Sequence, residues 1–317
     1  GDSGCDGAVA LTSLNDVIAQ GAQGVMGAAC SGTSLAILDT AIAAEVVMVS
    51  PSNTSPQFTK IDKKGFYART APSDLLQGDV LASLLVEDGV QTVSIISRAD
   101  SYGRGLAEAT AAAFEAAGGT VKTIVYHATD ASEFTSEVTA VGKGGADAIV
   151  GILFPETGCG VLQPAFEQGL LDTPWYMTDG VKDAGLASLC GLGTALDGFK
   201  GTAPGSAAGE AKDAFEAAYA EVSADGSPTF IFAPQAYDAV MLMAISAAAN
   251  GVTGPEIASG LVAASSGGEK CIGVACIALA ADGVDVDYVG ASGEIELNAV
   301  GDPVSYTHLT LPTSSRV

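Results

Sequence analysis

Apolar residues along this chain fall in short continuous runs separated by longer amphipathic stretches. Gly24 to Ala28, Val46 to Val49, Phe66-Tyr67, Thr92 to Ile96, Thr120 to Tyr126, Ala146 to Leu153 and Trp175 to Met177 read as strands. Asp6 to Gln20, Thr33 to Glu45, Leu75 to Val86, Gly103 to Ala117, Ser132 to Val141 and Cys159 to Gln168 read as the intervening helices. Apolar strands alternating with helices predict βαβ units and parallel sheets flanked by helices. Ligands of such sheets bind at the carboxyl ends of the strands, so the loops that follow strands are the places to look. After Pro204 the alternation gives way to helices over Gly209 to Val222, Pro234 to Ala249 and Pro255 to Ala263. Glu294 to Leu297 then alternates like a half-exposed strand.

With 317 residues, the chain is long enough for two lobes. It is 48% hydrophobic and 16% charged, as a globular protein with a sizeable core would be. A net charge of −24 with 13 Lys and Arg argues against nucleic acid and anionic lipid as partners. No apolar run reaches the roughly 18 residues of a membrane helix, so no direct membrane insertion is expected. The ends differ in character from the rest. The chain opens abruptly at Gly1-Asp2-Ser3, and Tyr306 to Thr313 resembles translated sequencing-adapter read-through. Residues 304–317 are therefore expected to be foreign to the fold.

The composition also constrains chemistry. Outside that tail His127 is the one histidine, which leaves a multi-His metal site without ligands and any His-based nucleophilic system with one candidate. There is no phosphate-binding loop of the G-x-x-x-x-G-K-[ST] kind. No catalytic residue, metal or cofactor is assigned. Six cysteines fall into local pairs: Cys5 with Cys30, Cys159 with Cys190, and Cys271 with Cys276. Even number and proximity suit disulfides in an oxidising compartment, the alternative being six buried thiols in a cytosolic protein.

Seven local patterns, taken in order, resemble the type I periplasmic binding proteins of branched-chain amino-acid ABC transporters. They are Gly27 to Thr33, Met48 to Pro56, Phe66 to Asp74, Ser101 to Leu106, Phe154 to Gly158, Tyr176 to Gly180, and Gly293 to Leu297 followed by Gly301-Asp302. The resemblance implies a two-lobed fold that hinges closed about a small solute. Residues 1–72 and 204–297 would form the first lobe, and 73–203 the second. Residues 298–303 would return to the second lobe. It implies crossings near Arg69 to Asp74, Thr202 to Gly205 and Gly293 to Leu297. It further implies that a strand, helix and strand precede Asp2 in relatives, so that the first lobe here is incomplete. A leader or lipid anchor would also lie there.

The implied ligand is an amino acid or related polar solute, delivered to an ABC transporter permease from the periplasm or cell exterior. Its carboxylate needs hydroxyl and N–H donors, and Ser31, Ser52 and Thr54 sit in loops that follow strands, where helix capping or turn chemistry is the other use for such residues. The resemblance turns Ser31 and Thr54 toward the ligand and leaves Thr33 open. For the ammonium it implies Asp179, at a position where relatives commonly carry Glu. Tyr102 would close over the ligand, and Phe154 would line the edge where relatives often have Tyr. The rival readings are an enzyme on a doubly wound fold and a ligand-sensing domain of a receptor or regulator with the same fold.

Overall fold

The computed structural model describes residues 1–183, 185–223 and 231–304, together with the backbone of 309–310. It separates into two compact units. One comprises Gly1–Ser73 with residues 205–304, and the other Asp74–Pro204.

The first unit opens with α1 (Gly7–Ala19), β1 (Gly24–Met26), α2 (Ser31–Ala43), β2 (Val47–Ser50), α3 (Gln57–Lys60) and β3 (Tyr67–Arg69). Asp6 caps α1 by accepting from the N–H groups of Ala8 and Val9. The three strands form a parallel sheet in the order β1-β2-β3. Every residue of the central strand β2 is buried, as its continuous apolar run requires. Leu14 of α1, Leu38 of α2 and Phe58 of α3 pack with Met48 of β2 in one core. A second core packs Val47, Val49, Leu242, Ile245 and Tyr288 together.

The second unit carries α4 (Asp74–Glu87), β4 (Thr92–Arg98), α5 (Ser101–Ala116), β5 (Thr120–His127), α6 (Thr135–Gly142), β6 (Ala148–Ile152), α7 (Pro155–Glu167), β7 (Trp175–Met177), α8 (Leu186–Leu189), β8 (Lys200–Gly201) and β9 (Ala203–Pro204). Its five-stranded sheet is parallel throughout, with the order β5-β4-β6-β7-β8. Two buried clusters, one around Leu81, Ile95, Phe114 and Tyr176 and one around Phe134, Leu162 and Trp175, form its core.

The chain then returns to the first unit with α9 (Glu210–Val222), α10 (Ala233–Asn250), α11 (Gly254–Gly260), β10 (Glu269–Ile272), α12 (Ala275–Ala281), β11 (Val286–Gly290) and β12 (Gly293–Glu294). Strands β10 and β11 pair parallel, and β12 closes antiparallel on β11. Asp238 of α10 fixes this region by accepting from Tyr288 Oη (2.8 Å), the N–H groups of Ala291 and Ser292 (2.7 and 2.8 Å) and Ser292 Oγ (2.6 Å).

Three details correct the sequence reading. Residues 298–303 do not return to the second unit, and no crossing occurs at Gly293 to Leu297. Leu297 bridges to Pro303, and Asp302 is ion-paired with Arg69, so the segment stays in the first unit. Helix α7 begins at Pro155, four residues before the expected start, with proline at its first turn where no N–H is needed. Strand β10 and helix α12, which carry Cys271 and Cys276, were not predicted. Of the expected foreign segment, residues 305–308 and 311–317 lie outside the described residues, while Leu309-Thr310 pair with β9.

All six cysteines pair as expected: Cys5–Cys30, Cys159–Cys190 and Cys271–Cys276. Cys159–Cys190 spans a sequence separation of 31. Its loss is expected to cost about 3 kcal/mol, mostly by releasing the unfolded chain. Urea unfolding of the Cys159→Ala/Cys190→Ala variant checks this; an unchanged midpoint would mean that the bridge adds no stability.

Candidate functional site

The two units carry two polar patches of opposite chemical character, each at the carboxyl ends of parallel strands.

In the first unit the loops after β1 and β2 are locked to one another. Ser50 Oγ donates to the Ala28 carbonyl at 2.8 Å and accepts from Asn53 N–H at 3.1 Å. Asn53 Nδ2 reaches the carbonyls of Ala28 and Ala29 (3.0 and 2.9 Å), and its Oδ1 accepts from Tyr67 Oη at 2.9 Å. From beneath, Arg69 Nη1 donates to the carbonyls of Asn53 and Ser55 at 3.0 and 2.9 Å. These bonds set the position of Thr54, which lies between those two carbonyls in sequence.

Ser31 is the first residue of α2, buried, and its Oγ accepts from Ser55 N–H at 3.3 Å. A hydroxyl that accepts one bond keeps its proton for another partner. Helix α2 has no side-chain cap, so its first-turn N–H groups are left for a ligand or water. Thr33 and Thr54 are both buried, and both Oγ1 atoms lack a partner. Thr33 therefore does not cap the helix. Ser52 is different. Its hydroxyl donates to the Ala29 carbonyl at 2.9 Å, so the side chain braces the loop and its donor is spent. The first patch is thus rich in unspent hydroxyl and amide donors and suits an anionic group.

The second patch gathers on β4, β7 and the helices that follow. Tyr102, second residue of α5, is buried and its Oη lies 2.9 Å from Asp179 Oδ1 and 3.0 Å from Thr178 Oγ1. Tyr102 and Phe154 stack at 5.1 Å between ring centroids and 14° between planes. The Arg98 guanidinium lies 4.0 Å from the Phe154 centroid and is bound in turn to Asp100 and to half-exposed Glu156. Gly180 allows this packing: a Cβ there would sit 2.3 Å from the Leu153 carbonyl oxygen and 2.5 Å from the Phe154 ring.

Asp179 is buried and accepts a second bond on Oδ1, from Gln77 Nε2 at 2.8 Å. Gln77 Nε2 also donates to the Thr202 carbonyl at 3.0 Å. Burial pushes the Asp179 carboxyl above its ordinary value, and the bonds from Gln77 and Tyr102 and the charge of Lys182 offset this only in part. Burial and then the Asp179 charge raise the Tyr102 hydroxyl, with Asp74 adding to the effect, so Tyr102 keeps its proton and donates. Gln77 Oε1 and Thr202 Oγ1 are buried without partners. The second patch is rich in acceptors and suits a cation.

Of the predicted residues, Ser31 and Thr54 come together in the first unit, and Tyr102, Phe154 and Asp179 in the second. Sequence reasoning missed Gln77, Thr178 and Thr202. Gln77 lies three residues beyond Asp74, just past the Phe66 to Asp74 pattern, and an amide one turn into a buried helix was the available signal. Among the described residues no cluster of His, Cys, Asp and Glu could hold a metal ion.

A family model described as the receptor family ligand binding region matches residues 1–309. The leucine-, isoleucine-, valine-, threonine- and alanine-binding protein of Pseudomonas aeruginosa is 28% identical over 264 residues, 80% of this chain and 67% of that protein. Against other curated relatives the chain spans about half of their length, 51%. Among solved structures, a leucine-binding protein from Thermotoga maritima aligns with a TM-score of 0.77 at 21% identity, over 97% of this chain and 84% of that one. A branched-chain amino-acid transporter substrate-binding protein from Streptococcus pneumoniae, solved with isoleucine, gives 0.77 at 19% identity over 98% and 86%. Parallel sheets flanked by helices, in two units, match the periplasmic-binding-protein fold of these neighbours. Sequence pattern, fold and family model agree, and the chain belongs to the receptor family ligand-binding region, the type I periplasmic binding proteins.

Proposed function

We propose that this protein is an extracytoplasmic solute-binding protein that takes a zwitterionic, aliphatic amino acid and hands it to an ABC transporter permease. One observation carries the reading. The first unit holds a buried donor-rich patch at the start of α2, and the second unit, by itself, a buried acceptor-rich patch around Asp179. An amino acid needs both: donors for its carboxylate and a carboxylate for its ammonium. Ser31, Thr33 and Thr54 hydroxyls with the α2 amides serve the first. Asp179, held by Gln77 and Tyr102, serves the second. Phe154 offers an apolar ring where a hydroxyl would give a polar edge, which favours an aliphatic side chain. The substrates named for the relatives above support the same class. Three disulfides support an oxidising compartment.

The Ser31→Ala/Thr54→Ala variant tests the donor patch. Its affinity for L-leucine should fall at least about tenfold, with each lost hydrogen bond to a charged group contributing about 1.5–3 kcal/mol. Unchanged affinity would remove both residues from the site.

A further inference from the structure

The first unit holds a cavity away from the donor-rich patch, formed by the loop between α3 and β3, the end of α11 and the turn at 297–301. Its volume is about 170 Å³. Leu261, Val262, Leu297 and Val300 give it apolar walls, and Lys63 and Tyr67 line it. Val262 and Val300 are partly exposed and mark its mouth, while Leu261 and Leu297 are buried.

Beside this cavity the buried charges do not balance. Lys63 and Arg69 are 5% and 0% exposed, and Asp302 is 4% exposed. Both cations lean on that single carboxylate. Arg69 Nε and Nη2 donate to Asp302 Oδ1 and Oδ2 at 3.0 and 3.1 Å, and Thr59 Oγ1 donates to Oδ2 at 2.6 Å. The Lys63 ammonium has the remaining place, at 3.4 Å from Oδ1, and lies 5.3 Å from the Tyr67 ring centroid. Burial lowers the Lys63 pKa, Asp302 raises it and Arg69 lowers it; no other carboxylate contributes. Asp62 and Lys64 also line the cavity and pair with each other, so together they add no net charge to it. A buried cluster with one surplus positive charge is costly unless a counter-ion completes it.

From this cavity, its apolar walls and the surplus positive charge of the Lys63–Arg69–Asp302 cluster we infer a second ligand site, for a small aliphatic monocarboxylate whose carboxylate meets Lys63 and whose chain fills the apolar part. At the interior packing density of about 0.74, the volume holds roughly 125 Å³ of ligand, a carboxylate of about four to six carbons. The site uses none of the residues assigned to the amino acid.

Calorimetric titration with isovalerate tests this at neutral pH, with isoamyl alcohol as the uncharged control. Isovalerate should bind saturably at one site, and the alcohol at least tenfold more weakly. Lys63→Met should lower isovalerate affinity at least tenfold while Ser31→Ala/Thr54→Ala leaves it unchanged. Should Lys63→Met fail to fold, Val262→Trp, which fills the mouth, should give the same loss. Absence of isovalerate binding, equal binding of the alcohol, or full affinity in Lys63→Met or Val262→Trp would overturn the inference. Loss of binding in Ser31→Ala/Thr54→Ala would place the carboxylate in the amino-acid site and also overturn it.

Discussion

Asp302→Ala should destabilise the first unit by about 3–5 kcal/mol, because it leaves two buried cations facing each other without a counter-charge. Arg69 has no exposed surface and Lys63 almost none, so neither can turn to water without local unfolding. Chemical denaturation of the purified protein reads the loss directly; a change below about 1 kcal/mol would show that the cluster relaxes at little cost. Replacing the trio together (Lys63→Met/Arg69→Met/Asp302→Leu) should recover most of the stability, since well-packed apolar groups often match a buried ion cluster. It should not recover ligand binding. Arg69 also holds the carbonyls of Asn53 and Ser55, and these position Thr54. Stability and affinity therefore separate in that variant, and parallel recovery of both would contradict the positioning role.

The same carboxylate sets an acid limit. Burial raises the Asp302 pKa, but Arg69, Thr59 and Lys63 outweigh burial and hold it below its ordinary value. A carboxyl with a depressed pKa in the fold contributes stability that is present above the unfolded value, about 3.9, and is lost as pH falls through the lower folded value. Asp302 should therefore contribute to acid unfolding only below about pH 4, and Asp302→Ala should lose that contribution.

The second large effect is expected at Asp179. Asp179→Ala removes the carboxylate that Gln77 and Tyr102 hold in the acceptor patch and should weaken amino-acid binding by about 2 kcal/mol or more, at least about thirtyfold. Asp179→Asn should do nearly as much, since it keeps the shape and loses the charge. The pH dependence adds a signature. Burial raises the Asp179 pKa, so in the empty site the carboxyl takes up a proton above the usual carboxylate range. The ammonium needs the ionised form, so affinity should fall as pH drops through that raised value, and Asp179→Asn should abolish the dependence. Equal affinity of Asp179→Asn and the native protein would remove Asp179 from the site.

Much of this was legible in the sequence. Continuous apolar runs such as Val46 to Val49, alternating with helix-length amphipathic stretches, pointed to parallel strands and so to the α/β class. Ser31, Thr54, Tyr102 and Asp179 stood out because each follows a strand, where parallel sheets place their ligands. Other features depend on partners distant along the chain. Asp302 meets Arg69 across 233 residues and Asp179 meets Gln77 across 102, and no local pattern encodes either. The resemblance sent residues 298–303 to the wrong unit because the cations that hold Asp302 could not be seen from its neighbours. Ser52 shows the converse limit: its type and place suited a ligand contact, yet the nearest acceptor was the Ala29 carbonyl. Helix α12 escaped because its seven residues, Cys276 and six alanine or aliphatic neighbours, carry no distinct period.

The central claim is that one ligand must bring both a carboxylate and an ammonium. Isothermal titration of the protein with L-leucine, L-leucinamide and N-acetyl-L-leucine tests it most directly. The account predicts saturable one-site binding of leucine and affinity at least about tenfold weaker for each derivative, which lacks one of the two charges. Equal binding of either derivative, or no heat with leucine or any other free amino acid, would contradict it.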